Sequence, residues 1–347
     1  MLGIRGEKST NPSARFSWRR VTRARRVTAF PRDIPAMKSD QRASDPGIRI
    51  VWWNTGLSPT RTKAPPDDDD IEAAARVLHH LIVDTGADII VLGEMAEDST
   101  NRLRQACEAA HGEFSWLKAF HRAGRSRFSI CVLSRTQRVE VHFVRPITKR
   151  ESTSVIKVGL QFGAAPRDGA PFTLIASHWP SRLHMDRHDS ERTHIAAFLR
   201  HWMEEHLRTI DMVNIVLIGD FNDEPFDEGL ERYLCASRDR DKVHRNPTLL
   251  YNPFWRHLSS FEPAVPEHRV SDRGTYWHGN GKFSGWRTFD QLMVSSALLF
   301  GRYGWRLDEE RTRVLPIPGL RLDAGKKAGR RALDHLPIVG LFERLPL

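Results

Sequence analysis

The sequence predicts an α/β protein in which two β-sheets pack against each other within one domain. Three observations lead there. Roughly nine short apolar runs of strand length recur from Ile48 to the C-terminus. Amphipathic helical stripes interleave with them, a pattern of layered α/β folds. No internal repeat or low-complexity linker appears after residue 47, and 347 residues are enough for one large core.

Taken in order, Ile48–Trp53 reads as a strand that ends at Asn54-Thr55-Gly56-Leu57. Pro65-Pro66 and the acidic run Asp67–Asp70 form a polar loop. The run lacks the spaced ligands and distal Glu of an EF-hand, so it reads as a solvated helix start, where carboxylates suit the dipole. Ile71, Ala74, Leu78, Leu81 and Ile82 then give a helical stripe that stops at Gly86. Asp88–Glu94 is the next buried strand, with a carboxylate at its end. Ser99 or Thr100 caps a helix running towards Gly112. A basic loop, Arg122–Arg127, precedes a strand at Phe128–Leu133. Val139–Val144, Val155–Phe162 and Phe172–Ala176 are further strands, the last leading into Ser177-His178-Trp179-Pro180-Ser181. Ile195, Phe198, Leu199 and Trp202 mark a helix from about Ser190 to His206. Val213–Ile218 is an apolar strand that ends abruptly in Gly219-Asp220-Phe221-Asn222. Residues 236–288 are loop-rich and aromatic. Thr288–Ser295 is a strand with an acid near its start, 308–332 reads as a charged loop, and Leu333–Leu341 closes the set.

Composition narrows the class. No apolar run reaches the length of a membrane span. Cys107, Cys131 and Cys235 are far apart, with no CxxC, which excludes a disulfide framework or a zinc site and fits a reducing compartment. With no secretory apolar core, a cytoplasmic protein is expected. The net charge of +10 is uneven: residues 1–47 hold 11 Lys/Arg against 4 Asp/Glu, and the remaining chain carries a surplus of only three. Residues 1–47 therefore read as a disordered basic arm, with residues 48–347 as the folded domain. The arm is a plain tail, a phosphate-touching segment, a targeting peptide, or an over-extended start before Met37.

The chemistry sits at strand ends. Gly219 allows a sharp exit or close backbone approach. Asp220 and Asn222, two apart on an extended backbone, point to one side. Asn54, Glu94, His178, Asp290 and the pair Asp334-His335 end or begin other strands. Each has a bland reading alone: Asn54 a cap, Glu94 a helix-capping acid, His178 and His335 packed histidines, Asp290 and Asp334 solvated turn residues. Together they form an oxygen-rich set with two histidines and no GxSxG elbow. Such a set suits a hard cation, Mg²⁺ or Mn²⁺, and metal-assisted phosphoester hydrolysis. His79, His80, His184 and His188 have no place in the pattern. The Arg122–Arg127 loop grips a phosphate or is simply solvated. The aromatic residues Tyr251, Trp255, Tyr276, Trp277, Phe283 and Trp286 pack loops or stack on bases.

The succession Trp53-Asn54-Thr55-Gly56-Leu57, Leu92-Gly93-Glu94, Ser177-His178-Trp179-Pro180-Ser181, Gly219-Asp220-Phe221-Asn222, Phe289-Asp290-Gln291-Leu292 and Asp334-His335-Leu336-Pro337 resembles the endonuclease/exonuclease/phosphatase superfamily over about residues 48–343. The resemblance implies a DNase-I-like four-layer sandwich of two packed mixed β-sheets flanked by helices. It implies Glu94 as main metal ligand, with Asn54 and Asp334 near the metal. It implies that His335 contacts or protonates the scissile phosphate and that Asp290 orients it. Asp220 would activate water, and Asn222 and His178 would hold phosphate oxygens. Gly56 stands where many members carry a second Asn or Asp. The expected activity is a Mg²⁺-dependent phosphodiesterase acting on nucleic acid, an endo- or exonuclease. The alternative is a phosphatase or phosphodiesterase acting on a small or lipid phosphoester. A non-catalytic binding module is the third reading.

Overall fold

The computed structural model describes residues 47–59, 65–110, 112–124, 126–151, 154–182, 189–209, 213–259, 274–278, 285–317 and 333–346. Gly47 apart, the basic arm lies outside them, as do Phe283, His184 and His188. β1 (Ile48–Asn54) is apolar at Ile48 and from Ile50 to Trp53, because both its faces are covered there. Ile48, Ile50 and Trp52 face the second sheet, whereas Val51 and Trp53 face helices. α1 (Asp68–Val83) begins at Asp67, whose side chain accepts from the Asp70 amide while Asp70 reciprocates, a capping box with carboxylates at the positive end of the helix. β2 (Ile89–Gly93) lies parallel to β1.

The rest of the first half alternates in the same way. α2 (Glu97–Ala106) is followed by β3 (Phe114–Ala119), a small hairpin of β4 (Arg122–Ala123) and β5 (Ser126–Arg127), and β6 (Ile130–Arg135). β7 (Val139–Glu151) and β8 (Ser154–Pro166) form a long antiparallel ribbon. β9 (Phe172–His178), α3 (Asp189–Thr209) and β10 (Asn214–Asp220) make a parallel crossover. Short elements follow: β11 (Ala236–Ser237), α4 (Arg240–Arg245), β12 (Leu250–Tyr251), β13 (Tyr276–His278) and β14 (Gly285–Arg287). β15 (Asp290–Val294), α5 (Ser296–Phe300), β16 (Trp305–Val314) and β17 (Ile338–Arg344) complete the chain.

Two mixed sheets result, ordered β16-β17-β1-β2-β6-β3 and β11-β12-β15-β10-β9-β8-β7. Their inner faces meet through Trp52, Val91, Leu174, Val216 and Leu292 among others. α1 covers the outer face of the first sheet and α3 that of the second. This is the expected sandwich.

Several local expectations need correction. Ser99 and Thr100 do not precede the helix. α2 starts at Glu97, and Ser99 Oγ accepts from the Ala96 amide from inside the first turn. Phe114–Ala119 is a strand that the helix-to-Gly112 reading passed over. Its central residues are half-exposed on an edge, which blurs any apolar run. Residues 308–314 are not loop. They belong to β16, whose charged positions face solvent at the sheet edge and pair along Arg306, Asp308, Arg311 and Glu343. The Leu333–Leu341 strand begins only at Ile338, and His335 forms a single bridge to Tyr276.

Candidate active site

Register builds the site. Asp220 is opposite His178 on β9 and opposite Asp290 on β15, so three of the expected side chains lie abreast on adjacent strands. A Cβ on Gly219 would sit 1.9 Å from the Ser177 carbonyl oxygen, so only glycine lets β10 approach β9 there. The first sheet supplies Asn54 and Glu94 from the neighbouring ends of β1 and β2. Asn54 Nδ2 joins the sheets: it donates to Glu94 Oε1 at 3.2 Å and to Asp220 Oδ2 at 3.0 Å. Its Oδ1 accepts from the Gly56 amide. His178 Nε2 lies 3.8 Å from both Glu94 Oε1 and Asp220 Oδ2.

His335 closes the other side. Its Nδ1 lies 2.7 Å from Asp290 Oδ2 and its Nε2 lies 3.8 Å from Asp220 Oδ2. Trp52 Nε1 donates to Asp290 Oδ1 at 2.7 Å, and the Asp290 amide donates to Thr275 Oγ1. Both oxygens of this fully buried carboxylate are therefore occupied. Tyr276 packs at a tilt against the His335 ring, with centroids 4.6 Å apart, and stacks on Phe289. Trp53 Nε1 donates to the His335 carbonyl.

Asn222 departs from the extended geometry expected of it. The chain turns after Asp220, and Asn222 takes a left-handed φ of 51°. It still meets Asp220, because its amide donates to Asp220 Oδ1 at 3.0 Å. Its side chain donates to the Trp179 carbonyl, whose own amide donates to the Asp220 carbonyl. Arg182 Nε donates to the Asn222 carbonyl, while its guanidinium pairs with Asp223 and Asp227. The loops carrying His178 and Asn222 are thus one hydrogen-bonded unit. Glu94 also has a left-handed φ, 50°. Backbone strain of this kind, two such residues in one site, is typical of functional positions.

Electrostatics follow from burial. Burial, and then the facing Asp290 carboxylate, push Asp220 above the ordinary carboxylate range, against His335 and His178. Burial alone would lower His335, but Asp290 first and Asp220 next outweigh it and raise it to about 10. The Tyr276 phenol is pushed up by burial and then by Asp334, Asp220 and Glu94. The site therefore carries crowded negative charge, and its donor set is oxygen-rich. That fits a hard divalent cation better than a soft one. Ligand atoms of Asp220, Asp290 and His335 lie within 4.8 Å of one another. Since His335 Nδ1 is engaged by Asp290, this trio has the form of an acid–base pair beside a carboxylate.

All eight expected residues border this one region. Asp334 is half-buried, and its charge acts on both His335 and Tyr276. Reasoning from sequence missed Trp52, Thr275 and Arg182, and had Tyr276 only among loop aromatics. Tyr251, Trp255, Trp277 and Trp286 do pack locally: Tyr251 on Glu309 and Arg240, Trp255 on Phe226, Trp277 on Trp286.

Carboxylates and histidines converging at one edge of two packed sheets define a DNase-I-like phosphoesterase architecture. Residues 60–335 match the model of the endonuclease/exonuclease/phosphatase family, and the chain belongs to that family. No curated protein sequence matches it. Its fold is similar to that of D. rerio TDP2 complexed with a single-strand DNA product (17% identity, TM-score 0.53, covering 86% of this chain and 100% of that one). It is similar to the human Nocturnin catalytic domain with bound sulfate (15%, 0.51, 87% and 96%). It is also similar to a mannosyl-6-phosphatase from Bacteroides thetaiotaomicron (15%, 0.52, 85% and 99%). No helix among the described residues is long and apolar enough to cross a membrane.

Proposed function

We propose that this protein is a divalent-metal-dependent phosphodiesterase, with Mg²⁺ or Mn²⁺, acting on nucleic acid. The observation that carries the reading is the alignment of the half-buried His178 with the buried Asp220 and Asp290 across three strands, facing Asn54–Glu94 and His335. Glu94 and Asp334 would hold the cation, with Asn54 beside them fixing Glu94 and Asp220 through Nδ2. A bound cation supplies Lewis-acid charge to the phosphate oxygens. The chain does the rest. Asp220 orients the attacking water and takes its proton, and its raised affinity for protons suits a base working near neutrality. Asp290 holds His335 in the form that presents Nε2–H, so His335 donates to a phosphate oxygen while remaining cationic. Asn222 has one amide hydrogen on the Trp179 carbonyl and offers the other to a phosphoryl oxygen, alongside His178.

Exposed Arg122 and Arg127 on the β4–β5 hairpin and Arg150 near the β7–β8 tip lie on elements that border the groove beside His178, and they favour a polyanionic substrate. TDP2 with its DNA product supports the same choice. A second reading, a small phosphoester, rests on the size of that groove, about 620 Å³, which suits a small ligand. The mannosyl-6-phosphatase neighbour agrees with it. The test is incubation of the full chain with Mg²⁺ or Mn²⁺ and plasmid, single-stranded DNA, RNA, abasic duplex or inositol phosphates, with Glu94→Ala as blank. Metal-dependent loss of a nucleic acid, absent in the blank, supports the first reading. Phosphate release from inositol phosphates alone moves the protein to the second. No turnover of any phosphoester refutes both.

A further inference from the structure

The β7–β8 ribbon contains a register irregularity close to the site. Pairing runs Ile147↔Gly159 and then Thr148↔Lys157, so Val158 is an extra residue in β8. The consequence is visible on the two faces. Leu160 packs between the sheets, but Val158 packs on the α3 side, as does Ile156, while Val155 returns to the inner side. A bulge flips the alternation and re-aims side chains, and bulges are common next to active sites. Here it turns Lys157 from the helix-covered face to the inner one. Without it, Lys157 would share a face with Gly159 and Gln161 instead.

Once there, Lys157 is held but not neutralised. Its Nζ lies over the Phe128 ring, 5.8 Å from the centroid, and donates to the Arg127 carbonyl at 2.9 Å. Among the described residues it makes an ion pair with no carboxylate. An ammonium has three donors, and the carbonyl uses one. Burial holds it below the ordinary lysine range against the pull of Glu94, so the charge is partly desolvated and close enough to feel the site. Lys157 also lines the groove that runs from His178 past Ser126, Ser129 and Ser154. Of the groove's acids, Glu151 is already paired with Lys149, and Glu191 lies in the first turn of α3, where the helix dipole compensates it.

Resting on the phosphodiesterase reading, we propose that Lys157 is a specificity residue that binds a second phosphate of the substrate, one unit away from the scissile group, in the groove beside His178. The Ser129 hydroxyl donates, and the Ser126 and Ser154 oxygens, whose own protons go to the Ala123 and Glu151 carbonyls, accept hydrogen bonds from the connecting sugar or polyol. The site would therefore discriminate between substrates with one and with two phosphates, whatever the leaving group.

The test uses a matched pair: p-nitrophenyl thymidine 5′-phosphate, and the same ester carrying a 3′-phosphate. Both break the same bond and release the same chromophore. Full-length wild type, Lys157→Met and Lys157→Arg are compared with metal present. Lys157→Met should raise KM about tenfold for the bisphosphate, with KM for the monophosphate and kcat for both unchanged, and Lys157→Arg should recover most of the loss. Equal losses on both substrates would place Lys157 on the scissile phosphate and overturn the proposal, and so would no change on either of them or on inositol 1,4-bisphosphate. Inositol 1,4-bisphosphate as a third substrate separates the sources of the second phosphate: sensitivity of its turnover to Lys157→Met, with the thymidine pair unaffected, would rule out a nucleic-acid backbone. If wild type turns over none of these, the phosphodiesterase reading has failed by itself. Calorimetric binding of thymidine 3′,5′-bisphosphate to wild type and Lys157→Met still decides the role of Lys157: weaker binding by the variant supports it, and equal binding refutes it.

Discussion

Asp290→Asn tests the electrostatic core of the site. Asp290 Oδ2 sits 2.7 Å from His335 Nδ1, and the aspartate is fully buried. The rise of His335 from the ordinary 6.5 to about 10 corresponds to roughly 5 kcal/mol of preference for the imidazolium. A cation on Glu94 would repel that imidazolium, so the figure is an upper bound. Asparagine keeps the shape but removes the charge. If its oxygen stays on Trp52 Nε1, its NH₂ faces His335 Nδ1 and demands an acceptor there. The ring must then give up its Nδ1 proton, and burial, now opposed only by Asp220 and Asp334, pulls its pKa down. The variant should lose about 10²–10⁴ in kcat, and the alkaline limb of its pH–rate profile should move to lower pH. Initial rates on p-nitrophenyl thymidine 5′-phosphate across the pH range, at saturating metal, measure both. His335→Gln should be equally impaired, and the double variant no worse than either single one, because the two residues act as a unit. An unmoved alkaline limb, or additive losses in the double variant, would refute the argument.

Other expectations follow from the same contacts. Trp52→Phe deletes the donor to Asp290 Oδ1 and leaves part of the buried indole's volume empty, and should cost at least about 1.5–3 kcal/mol in denaturant unfolding. Asp220→Asn should raise the stability of the metal-free protein, because a carboxylate pushed up by burial and Asp290 loses stability as pH rises from 3.8 through its native value. Thermal unfolding in EDTA against pH should show that falling slope in wild type and a flatter one in the variant, and added Mg²⁺ should stabilise wild type more. Native protein should present one fast thiol, the half-exposed Cys235, to a thiol reagent at mildly alkaline pH. Cys131, fully buried and pushed up to about 12, and the buried Cys107 should react only after unfolding.

The layered fold was legible because its central strands are buried on both faces. Runs such as Ile89–Leu92 and Ile215–Ile218 admit no polar residue in either alternation, and the acid that follows the glycine after each run marks the sheet edge. Edge strands were not legible for the same reason inverted. β3 and β16 each have solvent on one side and take Ser115, Lys118, Glu309 and Arg311 without penalty. Of the site, the groups that end strands could be read, because register alone brings His178, Asp220 and Asp290 together. The groups that hold them could not. Trp52 looks like any other core tryptophan, and nothing local says that its N–H meets a residue 238 positions away. The turn at Asn222 was hidden too, since a two-residue spacing implies one face only while the backbone stays extended.

Those supporting contacts explain how a charged site survives in a core. Gly93 shows the coupling. A Cβ there would lie 2.7 Å from the Trp52 ring, so glycine lets the indole lie flat across β2 and reach Asp290. The next residue is Glu94, in a left-handed conformation that directs its carboxylate towards Asn54 and His178. One short segment thus sets both halves of the site: the orientation of the Asp290–His335 pair through Trp52, and the placement of the acid that faces Asn54 and His178. The opposite wall is built the same way, with Gly219 admitting Ser177 and Asn222 turning back on Asp220. Each sheet brings a close glycine contact followed by a strained polar residue, and the Asn54 amide ties the two walls together. Repulsion among the carboxylates is thereby opposed by the covalent and packing constraints of both sheets, and the charge is held in place rather than dispersed into solvent.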